Sequence, residues 1–581
     1  MTRDLRTRKL LALALTFTGW QSSEAVYVTS RQNSNCRLLR SDPEWPDQQS
    51  WSSLNASVNG RLIASNPLGH VCHDPTYNEV ACDALKSVWQ FPQTQYPTAP
   101  DVIIPIFQNR SCDPFTPESS PCLLGPYVNY AINVSNADDV TTGLKFASEN
   151  NIRLVVKNTG HDFLGRSTGA GGLSLWTHNL KDQVFVPAYE SEYYNGSAIK
   201  LGAGVQTFEA YEFAHQNHVR VVGGTCPTVG VAGGYTMGGG HGMLSSEQGL
   251  GADNALEWEV VTPNGTLIIA TPTQNSDLYW ALSGGSPGSF GVVLSLTVRA
   301  PADVPMGGAN LTIASTGVSV DTFWQAVNAY HQLQPNITDA GGSSGWILTN
   351  NTLNIAYISL PNKTQEQVTS LINPFIDTLK QLNVQYALNT SYFDNFYDHA
   401  NLYLGLPYGY DPSNVVEGSR LIPRSVVLDN SDGLTSALRN ITSDPRFEVL
   451  GVSINVANGT NDPANPNVPN SALPAWRDAL LQLLISGYWD LEADLSTNWE
   501  TQSALTNVQL PQLENITPGS GSYINEGNFQ QPNYQQVFYS ENYDRLLSIK
   551  QEYDPDSILY GRAAVGSDQW TEEADARLCR T

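Results

Sequence analysis

The stretch "VVKNTGHDFLGRSTGAGG", Val155 to Gly172, decides how this chain is read. It continues the apolar run "IRLVV", which predicts a buried strand, and then breaks into glycine, serine and threonine. A single histidine, His161, stands at the break. Glycine lets a bare backbone approach an anion closely and turn several N–H groups toward it, so the loop suits a pyrophosphate. A side chain presented by such a loop faces whatever the phosphates anchor.

A second loop has the same texture. "TCPTVGVAGGYTMGGGHG", Thr225 to Gly242, follows "VRVVGG", which reads as another strand. The chain has seven cysteines: Cys36, Cys72, Cys82, Cys112, Cys122, Cys226 and Cys579. In an oxidising compartment an even set pairs, and Cys226, far from the rest inside a glycine-lined loop, is the one left over. A buried thiol or a disulfide to Cys579 is its alternative reading, as a capping or core role is for His161. On two ligand-facing loops, an imidazole and a thiol read as two anchors on one ring system.

Other uses of glycine loops do not fit. No G-x-x-x-x-G-K-[ST] occurs, and "GGSPGSFG" precedes a strand rather than the helix that a dinucleotide-binding turn opens. HExxH and CxxC are absent, and His241 in "GGGHG" has no nearby partner for a metal. No metal site is expected, and His178 and His241 read as structural.

The flanking pattern alternates strands with helices. "YVNYAINV", "GGLSLWTHNL" and "AIKLGAGV" predict strands; Asn136 caps a helix over "ADDVTTGLKFASE", and "TFEAYEFAHQNH" predicts another. "ALEWEVVTPNGTLIIAT" is a hairpin turning at Asn264-Gly265, and Asp253-Asn254 reads as a cofactor-side pair or a turn cap. Beyond residue 300 a second α+β unit begins, with helices in "VDTFWQAVNAYHQL" and "QEQVTSLINPFIDTLKQL" and a strand in "NIAYISL". The tail helix "NYDRLLSIKQEYDP" is stopped at Asp554-Pro555.

Composition narrows the partners. Among 581 residues, 30 Lys+Arg face 55 Asp+Glu, a net charge of −25 that disfavours nucleic acid. Arg3, Arg6, Arg8 and Lys9 precede "LLALALTFTGW" and "QSSEA", the order of a secretory signal cleaved near Ala25. That apolar run is far short of the roughly 20 residues a membrane span needs, so no membrane is expected. Asn-x-Ser/Thr sites such as Asn55, Asn195, Asn336 and Asn440 fit a glycosylated, secreted surface.

Four stretches together resemble one family: "VVKNTGHDFLGRSTGAGGLSLWTHNL", "GGTCPTVGVAGGYTMGGGHGMLSSEQGLGADN", "DLYWALSGGSPGSFGVV" and the closing "YINEG…NYDRLLSIKQEYDP". They are similar to the vanillyl-alcohol-oxidase-like FAD-linked oxidases, in the berberine-bridge-enzyme-like branch with its fungal isoamyl-alcohol-oxidase-like members. The resemblance implies FAD bound twice, through its 8α-methyl to His161 and through C6 to Cys226. It places Asn158, Thr159, Gly160, Asp162, Gly165 and Ser167 of the first loop at the cofactor. From the second loop and beyond it adds Thr228, Gly230, Gly233, Gly234, Gly291, Val292 and Asn525. Turn-making by the glycines and a plain core strand at Gly291-Val292 are the bland alternatives. The family often has Gly-Gly-His-Ser where this chain has Thr159-Gly160-His161-Asp162, which keeps the histidine and changes its neighbours.

Oxidising an alcohol by hydride transfer needs a base for the heteroatom proton. In relatives a Tyr-x-Asn segment returns to the flavin, here Tyr523-Ile524-Asn525-Glu526, with Glu526 where many relatives have a second tyrosine. Tyr523, with a phenol acidified by its surroundings, is the expected base, and Glu526 the alternative.

The fold implied is α+β. Residues 1–25 are the signal peptide, 26–121 a Cys-rich N-terminal segment and 122–302 a two-subdomain PCMH-type FAD-binding domain. Residues 303–509 form a substrate domain with an antiparallel sheet and helices, and 510–581 a berberine-bridge-like segment packing back on the FAD domain. The function implied is oxidation of a small alcohol, sugar hydroxyl or specialised-metabolite intermediate, with O2 reoxidising the flavin to give H2O2. A dehydrogenase using another acceptor and a catalytically idle ligand-binding protein are the alternatives.

Overall fold

The β-branched run Arg153–Lys157 (β3) is the inner edge of a small sheet in a computed structural model that describes residues 35–409, 414–457 and 468–581. The signal peptide read at 1–25 lies outside the described residues. β3 pairs in parallel with Gly172–Trp176 (β4), and β4 with Tyr130–Asn133 (β2). The helix Ala137–Glu149 crosses over between β2 and β3; the Asn136 side chain accepts from Asp139 N at 3.1 Å, and Val140, Leu144 and Ala147 are buried. The N-terminal segment supplies the remaining strand, Leu62–Ala64 (β1), antiparallel to β2.

A five-stranded antiparallel sheet follows, built from Gln183–Glu190 (β5), Asn195–Gly202 (β6), Ala255–Val261 (β7), Leu267–Ala270 (β8) and Val292–Arg299 (β9), in the order β5-β6-β9-β7-β8. β7 and β8 form the expected hairpin, with Gly265 at φ 85°.

"VRVVGG" departs from its reading as a strand. Val219 makes one isolated bridge to Ala302 and Arg220 N donates to Pro301 O at 2.9 Å, but the segment joins no sheet. Its residues are nonetheless buried, Val221 at 1% exposure. An apolar run records burial, and here burial comes from threading the core rather than from pairing.

Beyond residue 303 lies a seven-stranded antiparallel sheet: Met306–Ala314 (β10), Ser343–Leu348 (β11), Thr352–Pro361 (β12), Tyr386–Phe393 (β13), Val415–Pro423 (β14), Phe447–Ser453 (β15) and Ala479–Tyr488 (β16). The order is β13-β10-β12-β11-β15-β16-β14. Helices Val320–Asp339 and Gln365–Gln381 join its apolar core. Burial alternates along β15, with Phe447 and Val449 packed in that core and Leu450 and Val452 half-buried on the opposite face. That second face looks toward the flavin-type loops.

The C-terminal segment returns as expected. Lys550 Nζ, on the helix Tyr543–Tyr553, donates to Ser289 O and Leu559 O at 2.8 Å each, and Leu559 bridges Leu154 beside β3. Disulfides join Cys36 to Cys579, Cys72 to Cys82 and Cys112 to Cys122. Cys226 is in none of them, which removes its pairing with Cys579. Among the described residues no helix is long and apolar enough to cross a membrane.

Candidate active site

One cavity of about 550 Å³ runs between the two glycine loops and the free face of the seven-stranded sheet. That volume is within the usual range for a small-molecule site.

The first loop leaves β3 at Asn158, whose carbonyl accepts from Trp176 Nε1 at 3.2 Å, and turns at Gly160, φ 85°. His161 follows, lining the cavity. Its Nε2 lies 2.7 Å from Thr228 Oγ1. Burial pushes its imidazole down to about 4, so the ring is neutral at neutral pH. Asp162 closes the loop on itself: its carboxylate pairs with Arg166 at 2.7 Å and accepts from the backbone of Leu164 and Arg166. Ser167 and Thr159 line the cavity; Gly165 does not, and a Cβ there would lie 2.6 Å from the Phe107 ring. Its φ of 74° makes it a turn residue.

The second loop is anchored by the start of the helix Thr207–Gln216. Phe208 N donates to Pro227 O at 3.0 Å, Thr207 N to Val229 O at 2.9 Å, and Gln206 Nε2 to Thr228 O at 2.6 Å. This leaves Cys226 exposed to the cavity, its Sγ 3.7 Å from Thr228 Oγ1. Thr228 is fully buried and outside the lining, yet its hydroxyl touches both expected anchors. Gly230, Gly233 and Gly234 line the wall; a Cβ on Gly233 or Gly234 would meet nothing closer than 3.8 Å and would project into the space. Gly291, just before β9, and Val293 on it line the cavity, whereas Val292 turns into the core with Val140 and Leu144. The two-residue period of a strand makes that choice. Asp253 serves as a clamp, paired with Arg477 at 2.7 Å.

The segment Tyr523–Glu526 closes the cavity from the C-terminal side. Asn525 Nδ2 donates to Gly234 O at 2.8 Å and to Tyr523 OH at 2.7 Å, docking the segment on the second loop. A Cβ on Gly238 would fall 2.4 Å from Asn525 Oδ1, so only glycine admits this approach. Glu526 Oε1 lies 3.2 Å from His241 Nε2, and Gln482 Nε2 donates to Oε2. Burial pushes the Tyr523 phenol above its ordinary value, and the nearby Glu526 charge adds to the effect. The acidified phenol expected of a base is therefore not formed here. His241 lines the cavity instead of serving only the core, its ring 5.2 Å from that of Tyr523.

The residues fit an extended cofactor with phosphates. Asn158 Oδ1 and Arg166 Nη1 are buried without a hydrogen-bond partner beside the glycine track. Arg166 and Gln482 escaped the sequence reading, because a lone arginine or glutamine carries no motif; His241, read there as structural, lines the cavity beside Glu526.

This fold and site define a flavin-dependent oxidoreductase. A family model described as an FAD binding domain matches residues 128–271, and one described as berberine and berberine like matches 522–565. A VAO-type flavoprotein oxidase of Thermothelomyces thermophilus is 44% identical over 566 residues, 96% of this chain and 97% of that protein. The crystal structure of the VAO-type flavoprotein MtVAO615 from Myceliophthora thermophila C1, also 44% identical, superposes with a TM-score of 0.91 over 94% of this chain and 100% of the other. The chain belongs to the berberine-bridge-enzyme-like FAD-linked oxidoreductases of the VAO family. Glucooligosaccharide oxidase from Acremonium strictum, whose cofactor is described as 6-S-cysteinyl, 8α-N1-histidyl FAD, shares the fold at 18% identity and a TM-score of 0.61, covering 76% and 92% of the two chains.

Proposed function

We propose that this protein is a secreted oxidase that carries FAD on two covalent bonds and oxidises a small organic alcohol. On this reading residues 122–302 with 510–581 form the FAD domain and 303–509 the substrate domain. The observation that carries it is the convergence of His161 and Cys226, both lining the cavity that Glu526 also lines, on one hydroxyl, that of Thr228. FAD would be held by the imidazole of His161, which is neutral and engaged through Nε2, and by the sulfur of Cys226. When bound, FAD would supply the acceptor for hydride from the substrate carbon and the path of its electrons to O2, giving H2O2.

Glu526 takes the proton from the substrate hydroxyl. His241 and Gln482 hold one carboxylate oxygen each, which fixes its orientation. Tyr523 keeps its proton and, held by Asn525, is a donor toward the substrate oxygen. Arg166 and the backbone of both loops bind the pyrophosphate. The three disulfides and the basic-apolar leader support secretion. Acid precipitation of the purified protein tests the tethers: yellow colour stays with the pellet if they form and leaves with the supernatant if they do not. Rapid mixing of the reduced protein with O2 tests the acceptor, and slow reoxidation would establish a dehydrogenase instead.

A further inference from the structure

The cavity face of the seven-stranded sheet is divided along the strands. On β16 the residues of this face are Gln482, Leu484 and Ser486, in register with Val452, Leu450 and Glu448 of β15. Gln482 reaches Glu526, and Ser486 Oγ donates to Glu417 Oε1 at 2.9 Å. Glu417, on β14, lines the cavity and is in register with Ser486. Between these polar ends the lining is hydrocarbon: Leu484, Leu450, Val452 and, one strand further, Ile347 in register with Leu450. Asn354, beside Ile347, turns its amide oxygen to Thr312 Oγ1 at 3.0 Å. The four residue steps along the strand from Gln482 to Ser486 span about 13 Å at about 3.3 Å each.

A ring dense with hydroxyls placed here would set most of them against leucine, valine and isoleucine, with only the Asn354 amide N–H groups and the Tyr357 hydroxyl on the neighbouring strand to replace water. An apolar body loses nothing there. We propose that the substrate is an elongated, largely apolar alcohol, oxidised at the Glu526 end, whose far end carries a hydrogen-bond donor received by Glu417. This rests on the oxidation proposed above and specifies its substrate. Leu484 and Glu417 are then the residues that set specificity.

The test uses the yellow holoenzyme, with long-chain benzylic alcohols with and without a terminal hydroxyl, their benzyl methyl ethers, glucose and cellobiose. Binding is read from perturbation of the flavin absorbance, which reports occupancy whether or not the ligand reacts; turnover is read from peroxide. Benzylic alcohols and ethers are expected to bind at least about tenfold tighter than the sugars, and Leu484→Asn to weaken them. The terminal hydroxyl is expected to tighten binding, and Glu417→Gln to cut that preference about tenfold. Sugars that bind as tightly as the ethers, or a terminal-hydroxyl preference that survives Glu417→Gln, would overturn the proposal. Ethers that bind while their alcohols leave the flavin oxidised would refute the oxidation and leave the substrate class standing.

Discussion

His161 Nε2 lies 2.7 Å from Thr228 Oγ1, and that same hydroxyl lies 3.7 Å from Cys226 Sγ. One buried threonine thus contacts both expected anchors, and it engages Nε2 of the histidine, leaving Nδ1 as the nitrogen not held by Thr228. Thr228→Val should lower the fraction of flavin bound through His161, while Thr228→Ser, which keeps the hydroxyl, should restore it. Mass spectrometry of proteolysed holoenzyme reads this directly from the flavin-bearing His161 peptide. Equal flavinylation of the valine and serine variants would show that the hydroxyl has no part in it.

Two tethers make a graded prediction. His161→Ala and Cys226→Ala should each keep the flavin in the acid pellet through the remaining bond, with different absorbance spectra, and only the double variant should release all the colour. Release by either single variant would mean one bond, not two.

Glu526→Gln keeps the shape and the hydrogen bond from Gln482 but cannot accept a proton. Its kcat should fall by about 10²–10⁴ with the covalent flavin content unchanged. Tyr523→Phe should cost far less, since burial holds that phenol protonated. Stopped-flow reduction of the flavin separates the two, and a larger loss for Tyr523→Phe would reverse their roles.

His331 and His399 are fully buried, and neither ring nitrogen of either has a hydrogen-bond partner. Burial pushes them down to about 4 and about 3, so in the folded state both stay neutral where the unfolded chain protonates. The unfolded state therefore binds more protons as pH falls below about 6.5, and folding stability drops by about 2 kcal/mol per histidine between pH 7 and pH 5. His331→Gln and His399→Gln should each flatten that decline. Thermal midpoints at the two pH values, compared between variant and wild type, check it; an unchanged slope would rule it out.

Cys36 and Cys579 close a loop with a sequence separation of 543. Cys36→Ser should lower stability by about 2–5 kcal/mol, read as a shift in the denaturant midpoint. No shift would mean that Lys550 and the Leu154–Leu559 bridge hold the tail alone.

Much of the flavin lobe could be read locally. Asn136 capping its helix, the Asn264-Gly265 hairpin and the stop at Asp554-Pro555 depend on neighbours a few residues away, and the structure keeps all three. "VRVVGG" could not be read the same way, because an apolar run says that a segment is buried and not what it pairs with.

Residue type and spacing by themselves determined the two glycine loops, the imidazole and thiol they carry, and the odd cysteine. Only the tertiary structure decided that Thr228 stands between them, that Val293 rather than Val292 faces the cavity, and that His241 and Gln482 hold Glu526. The physical reason is separation along the chain: His241 and Glu526 are 285 residues apart. A hydrogen bond over that distance exists only once two lobes and a returning tail have packed, and nothing in the local pattern of either residue announces it.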